Sequence, residues 1–167
     1  MSIQIVVESM FGNSREVAEV VADGAREAGA DVSVTPVAEA GRDVQPAATL
    51  LVVGGPTHAF SMTRSATRAD ALREGAPYGD KETGIREWID RATPRPDLPV
   101  ITFDTRIQVK FVPGSAAKSA AASLKGHGFA HVTRGPTFFV LAKEGPLADG
   151  ELARARAWGA ELGAAHC

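Results

Sequence analysis

Cysteine is almost missing from this chain: the last residue, Cys167, is the only one. A single thiol can build neither a disulfide framework nor a cysteine metal site within one chain, and a lone terminal thiol is read as incidental rather than catalytic. Long hydrophobic runs are missing too. No apolar stretch approaches the roughly 18 residues of a membrane span, and residues 1–12 lack the basic and apolar regions of a secretion signal. The expectation is a soluble, unsecreted, cytoplasmic protein with no membrane partner. Charge of one sign is also lacking, because 18 basic and 20 acidic side chains leave a net charge of −2, which gives no reason to expect nucleic acid. His127, His131 and His166 are scattered without metal-ligand spacing, so no metal site is expected. No GxGxxG follows the first apolar run and no GxxxxGK[ST] occurs anywhere, which excludes those two ways of holding a nucleotide though not nucleotides in general. There is no internal repeat and no low-complexity tail.

What is present is a regular alternation. A 167-residue chain that is 44% hydrophobic suits one domain, residues 1–167, with a real core. Residues 3–7 are apolar and β-branched apart from Gln4, the pattern of a strand covered on both faces. From Arg15 to Ala28, Val17, Val20, Val21, Ala25 and Ala28 recur at helical spacing, and Gly29 stops the helix. Val32 and Val34 mark a second strand ending near Pro36; residues 50–53 are a third, closed by Gly54, Gly55 and Pro56. Helices are expected over Arg64–Glu74 and around Ile85, Trp88 and Ile89, with a turn at 75–80. A fourth strand spans Pro99–Phe103, and a helix opens at Gly114 and Ser115. A fifth strand lies near Thr137–Leu141, with an extra extended piece around Ala130–Thr133. The last helix, Glu151–Ala164, is expected to bury Leu152, Ala155, Trp158 and Leu162. Both tryptophans are assigned to the core.

Such alternation indicates a parallel sheet with helices on both faces, and such sheets bind ligands beyond the carboxyl ends of their strands. Three loops matter on this reading: 8–14, 54–63 and 104–114. In the first, ESMFGNS, backbone amides and the first helical turn can converge on an anion, with Gly12 allowing close approach. Asn13 or Ser14 can equally well cap the helix. Spacing alone does not choose between the two.

SMFGNS resembles the flavodoxin phosphate loop, [ST]-x-[TY]-G-N-[TS], in order and in its strand-to-helix setting. GGPTHAF, 54–60, resembles the G-x-P-T-[WYH] segment that follows strand three in that family, and KEGPLADGE occupies the place of a long loop region before the last helix. The resemblance covers nearly the whole chain. It implies a flavodoxin-like α/β fold, a three-layer sandwich around a five-stranded parallel sheet of order 2-1-3-4-5. It implies FMN as cofactor, with Ser9, Met10, Phe11, Gly12, Asn13 and Ser14 around the phosphate. Pro56, Thr57 and His58, with Ala59 and Phe60 beside them, would border the isoalloxazine. Phe103, Asp104, Thr105 and Arg106 stand where the family's second flavin-contacting loop follows strand four.

The activity implied is electron transfer between a reductase and an acceptor protein, by a monomer or weak homodimer. The alternatives are an NAD(P)H-dependent quinone reductase, in which His58 would donate a proton, and a module of the same fold that has lost tight flavin binding and acts through protein contacts. A phosphoacceptor receiver domain is excluded, because Gly54, Gly55 and Pro56 stand where its aspartate would be and only Glu8 follows strand one. Two departures from the family carry expectations. Met10 and Phe11 stand where many flavodoxins have hydroxyl residues, so FMN should bind less tightly than in a dedicated flavodoxin. The family's usual third-loop tyrosine has no clear counterpart, Phe111 being the only candidate nearby. Arg64, Arg68, Arg106 and Lys110, against Asp70 and Asp104, should stabilise the reduced, anionic flavin and raise its potential.

Overall fold

The structure is a computed structural model that describes residues 1–109 and 113–165; Lys110, Phe111, Val112, His166 and Cys167 lie outside the described residues. The chain runs β1 (Ser2–Val7), α1 (Asn13–Glu27), β2 (Asp31–Pro36), β3 (Leu50–Pro56), α2 (Ser65–Arg73), α3 (Ile85–Arg91), β4 (Pro99–Ile107), α4 (Ala116–His127), β5 (His131–Val140) and α5 (Glu151–Ala165). The five strands form one parallel sheet in the order β2-β1-β3-β4-β5, as the alternation and the resemblance led us to expect.

Period-two alternation sends successive side chains to opposite faces, so apolar runs such as Ile3–Val7 and Leu50–Val53 serve two cores at once. On one face Ile3, Ile5, Val7, Leu50 and Val52 pack against Val17 and Val21 of α1 and Ala155 and Leu162 of α5. On the other, Val6, Leu51, Val53 and Val100 meet Trp88 and Ile89 of α3 and Ala120 and Leu124 of α4. Both tryptophans pack as expected. Trp88 is buried and donates its Nε1 proton to the Gly41 carbonyl at 2.9 Å, and Trp158 meets Phe103 and Phe138 with ring centroids 6.0 Å apart in each case.

Helices α1 and α5 touch backbone to backbone, and glycine permits it. A Cβ on Gly159 would lie 2.0 Å from the Val21 carbonyl oxygen, and one on Gly24 would lie 2.1 Å from that of Arg156. Gly159→Ala should therefore destabilise the protein by about 1–3 kcal/mol through overpacking. Urea denaturation measures this directly, and an unchanged midpoint would mean that the two helices separate freely.

Three elements depart from the expectation. Strand β4 runs four residues past Phe103, because Asp104 and Thr105, polar and buried, find partners within the fold. Strand β5 is one strand from His131 to Val140, with an irregularity opposite Thr102 and Asp104 where Gly135 and Pro136 sit. In α5, Leu152 is exposed and Glu151 is buried in its stead, its Oε2 accepting the Phe139 amide proton at 2.8 Å.

Candidate functional site

Strand order reverses between β1 and β3, so the loops leaving their carboxyl ends diverge and open a cleft. Its walls are Ser9, Met10, Phe11, Asn13 and Ser14 from the first loop, and Pro56, Thr57 and His58 from the second. Thr105, Arg106 and Ile107 at the end of β4, with Val140 and Lys143 after β5, complete it. The space between them is about 410 Å³ including the open mouth. A second hollow lies on the far side of the first loop, between Val37–Glu39 and Tyr78–Asp80.

The first loop decides between anion cradle and helix cap. Asn13 and Ser14 are the first two residues of α1 itself, and the N-cap is Gly12, whose φ of 99° is left-handed and which gives no side-chain cap. The Asn13 side chain instead donates to the Lys143 carbonyl at 3.0 Å, and the Ser14 hydroxyl pairs with that of Thr105 at 2.7 Å. The capping alternative therefore fails for both residues. The first amide to reach an acceptor of the helix is that of Glu16, on the Gly12 carbonyl at 2.9 Å, so those of Asn13, Ser14 and Arg15 remain directed out of the helix end. Ser9 Oγ accepts the Gly12 amide proton at 3.0 Å and keeps its own hydroxyl proton to donate. The Met10 side chain is buried against Gly79, and its carbonyl accepts the Tyr78 amide at 3.1 Å. The side chain at position 10 is thus packed toward Gly79, while Phe11 is half-buried in the cleft wall.

In the second loop, His58 and Ser61 exchange backbone hydrogen bonds of 2.9 and 3.2 Å around a two-residue turn. Ala59 and Phe60 both have positive φ, 49° and 64°, a strained conformation for residues with a Cβ. The turn carries Ala59 and Phe60 into solvent, Phe60 being 54% exposed. Neither is among the residues that wall the cleft between the loops. Burial holds the His58 imidazole below its ordinary pKa, with Arg68 acting in the same direction, Glu74 against it and Lys143 with it. At neutral pH it is therefore uncharged.

Asp104 does not belong to the cleft wall either. It is fully buried and accepts from Thr57 Oγ1 at 2.8 Å, Ala117 N at 3.2 Å and Thr137 Oγ1 at 2.5 Å, joining β3, β4, β5 and the start of α4 beneath the site. Phe103 is a core residue under Gly54. Arg106 lies over the Phe139 ring at 5.8 Å and donates to the Gly114 carbonyl at 3.4 Å, while its buried Nε has no hydrogen-bond partner among the described residues. Of the other cations read from the sequence, Arg68 is buried away from the cleft beside Glu8, Thr63 and Glu87, Arg64 is exposed, and Lys110 is outside the described residues. Ile107 of the third loop, Val140 and Lys143, the first residue of KEGPLADGE, also line the cleft, and the sequence assigned none of them a role there.

The described cleft residues hence include two cations, Arg106 and Lys143, and no carboxylate. With a helix end open to acceptors and two cations in the wall, the cleft suits an anionic ligand. The phosphate of FMN fits that description. Among the described residues no cluster of histidine, cysteine and acidic side chains is placed to hold a metal ion, and no helix is long and apolar enough to cross a membrane.

No family model and no curated protein matches the chain. Solved structures do. A flavodoxin from the domain Archaea is similar with a TM-score of 0.66 at 17% identity, over 98% of this chain and 96% of that one. Oxidised Flavodoxin 1 from Bacillus cereus gives 0.66 at 15% identity over 97% of each chain. The flavodiiron protein from Giardia intestinalis gives 0.55 at 18% identity, over 97% of this chain and 35% of that one. The fold of this protein is flavodoxin-like.

Proposed function

We propose that this protein binds FMN in the cleft between β1 and β3 and carries electrons between a reductase and an acceptor protein. It would work in the cytoplasm as a monomer or weak homodimer. The observation that carries the reading is the first loop: an uncapped helix start behind a left-handed Gly12, inside the segment that resembles a flavodoxin phosphate loop. The similarity of the whole fold to flavodoxins supports it. Bound FMN supplies one- and two-electron redox chemistry. The chain's part is to hold its phosphate with the amides at the start of α1 and the Ser9 hydroxyl, and to set the ring beside Pro56, Thr57, His58 and Arg106. Thr57 serves the site indirectly. Its hydroxyl donates to Asp104 and accepts the Ala116 amide proton at 2.9 Å, which fixes the second loop against α4.

Fluorescence quenching on titration with FMN, repeated with riboflavin, tests the reading. Hydrogen bonds to a charged group contribute about 1.5–3 kcal/mol each, so FMN should bind at least about tenfold more tightly than riboflavin. Equal, weak binding of both would strip the first loop of its role. One observation favours a second reading, an NAD(P)H-dependent quinone reductase: His58 is half-buried in the wall of the cleft, within reach of a substrate beside the ring. NAD(P)H oxidation with a quinone and no added reductase separates the two readings.

A further inference from the structure

The turn after β5 is built onto the phosphate loop. The Asn13 side chain holds the Lys143 carbonyl at 3.0 Å. Two residues later Gly145 has a φ of 100°, and a Cβ there would sit 2.6 Å from Asn13 Oδ1. The turn can therefore seat closely on the first residue of α1, and this places Lys143 in the wall of the cleft with Ser9, Phe11 and Ser14. Its ammonium group, however, pairs with Glu74, the C-cap residue of α2. The electrostatic influence of both groups reaches His58 on the facing loop. An ion pair thus ties the turn after β5 to the end of α2 beside the part of the cleft wall that Lys143 forms.

Both partners are about half exposed, 52% for Lys143 and 46% for Glu74, and exposed pairs contribute little to folding and break readily. Lysine is suited to such an exchange, since its charge sits on a flexible four-carbon stem. Among the described residues, the two other cations near the first loop have contacts of their own. Arg15 lies over the Tyr78 ring at 5.5 Å and lines the hollow on the far side of the loop. Arg106 is held by Gly114 and Phe139 at the end of β4.

We propose that Lys143 and Glu74 form an exchangeable latch, in which the ammonium group of Lys143 leaves Glu74 for the phosphate of the incoming flavin and so sets the preference for FMN over riboflavin. The proposal rests on the FMN reading above. Glu74 is then a competitor for the cation: it shields Lys143 in the free protein and must be displaced on binding.

Titration of FMN and riboflavin into the wild type and into Lys143→Met, Glu74→Gln and the double variant tests it. Lys143→Met should weaken FMN about tenfold and leave riboflavin unchanged, because only the phosphate loses a charged donor. Glu74→Gln should tighten FMN about two- to fivefold by freeing the lysine. In the double variant the gain should vanish, since Glu74 acts through Lys143. A Lys143→Met variant that changes both ligands equally, or neither, overturns the latch. So does a Glu74→Gln effect that survives without Lys143. A wild type that takes up neither flavin overturns the FMN reading itself at the first titration, whereas a wild type that binds FMN with unresponsive variants overturns the latch alone.

Discussion

Replacing Arg68 by methionine should lower the unfolding free energy by about 3–5 kcal/mol, because it strands a buried carboxylate. Arg68 and Glu8 are 1% and 3% exposed. They are joined less by their direct approach of 4.0 Å than through Thr63. Arg68 Nη1 donates to Thr63 Oγ1 at 2.8 Å, and that hydroxyl donates to Glu8 Oε2 at 2.6 Å. The Ile85 amide adds a 2.8 Å bond to Glu8, Arg68 Nε donates to the Lys81 carbonyl at 3.0 Å, and Arg68 also pairs with Glu87. One guanidinium therefore holds the end of β1, the segment before α2 and the start of α3 together beside the first cleft loop. Adding Glu8→Gln to Arg68→Met should recover part of the loss, since a neutral amide needs no countercharge. Guanidinium denaturation of the two single variants and the double variant measures the coupling, and strict additivity would show that the pair is not a unit.

The same carboxyl gives a pH test. Burial raises the Glu8 pKa above 4.5, against the lowering effects of Thr63, Ile85 and Arg68. A raised folded-state pKa means that the folded protein binds this proton more tightly than the unfolded chain does. Its stability contribution is then full below the unfolded value near 4.5 and is lost as pH rises through the folded value. The permanently neutral Glu8→Gln has no such dependence, so its stability deficit should be larger at pH 5 than at pH 8. A deficit that grew with pH would mean that attraction to Arg68 outweighs burial.

The elements readable in the sequence are those whose pattern is local. Residues 3–7 and 50–53 announce strands because both faces are covered, and α1 announces itself through its period. The last residues of β4 did not, since Asp104 looks like the end of an apolar run; its partners are Thr57, Thr137 and Ala117, none of them near in sequence. In the site, SMFGNS and PTH were legible because the donors and the turn lie in one continuous segment. The turn that exposes Phe60 was not legible, because a left-handed pair is expected of glycine and asparagine, not of Ala59 and Phe60. Lys143 opens the segment KEGPLADGE, but nothing in that segment assigns it to the cleft, because it enters only when a turn some 130 residues away from Asn13 folds back onto it.

Arg106→Leu should make the two-electron midpoint potential of bound FMN more negative by about 20–40 mV, because a unit cation in a partly buried cleft is worth on the order of 1–2 kcal/mol to a reduced, anionic ring, and 1.4 kcal/mol corresponds to about 30 mV for two electrons. Carboxylates around a flavin act in the opposite direction, and none lines this cleft among the described residues. The wild-type potential should accordingly be less negative than that of a flavodoxin with an acidic site. Arg106 is the group to remove because it sits at the end of β4 in the wall of the cleft, although its contacts with Gly114 and Phe139 are lost with it. Arg106→Lys keeps the charge and should retain most of the potential. Lys143→Met, at the phosphate end, should alter affinity far more than potential. Redox titration of the three FMN-loaded variants against the wild type separates these effects, and a potential unmoved by Arg106→Leu would show that this guanidinium belongs to Phe139 and Gly114 and not to the ring.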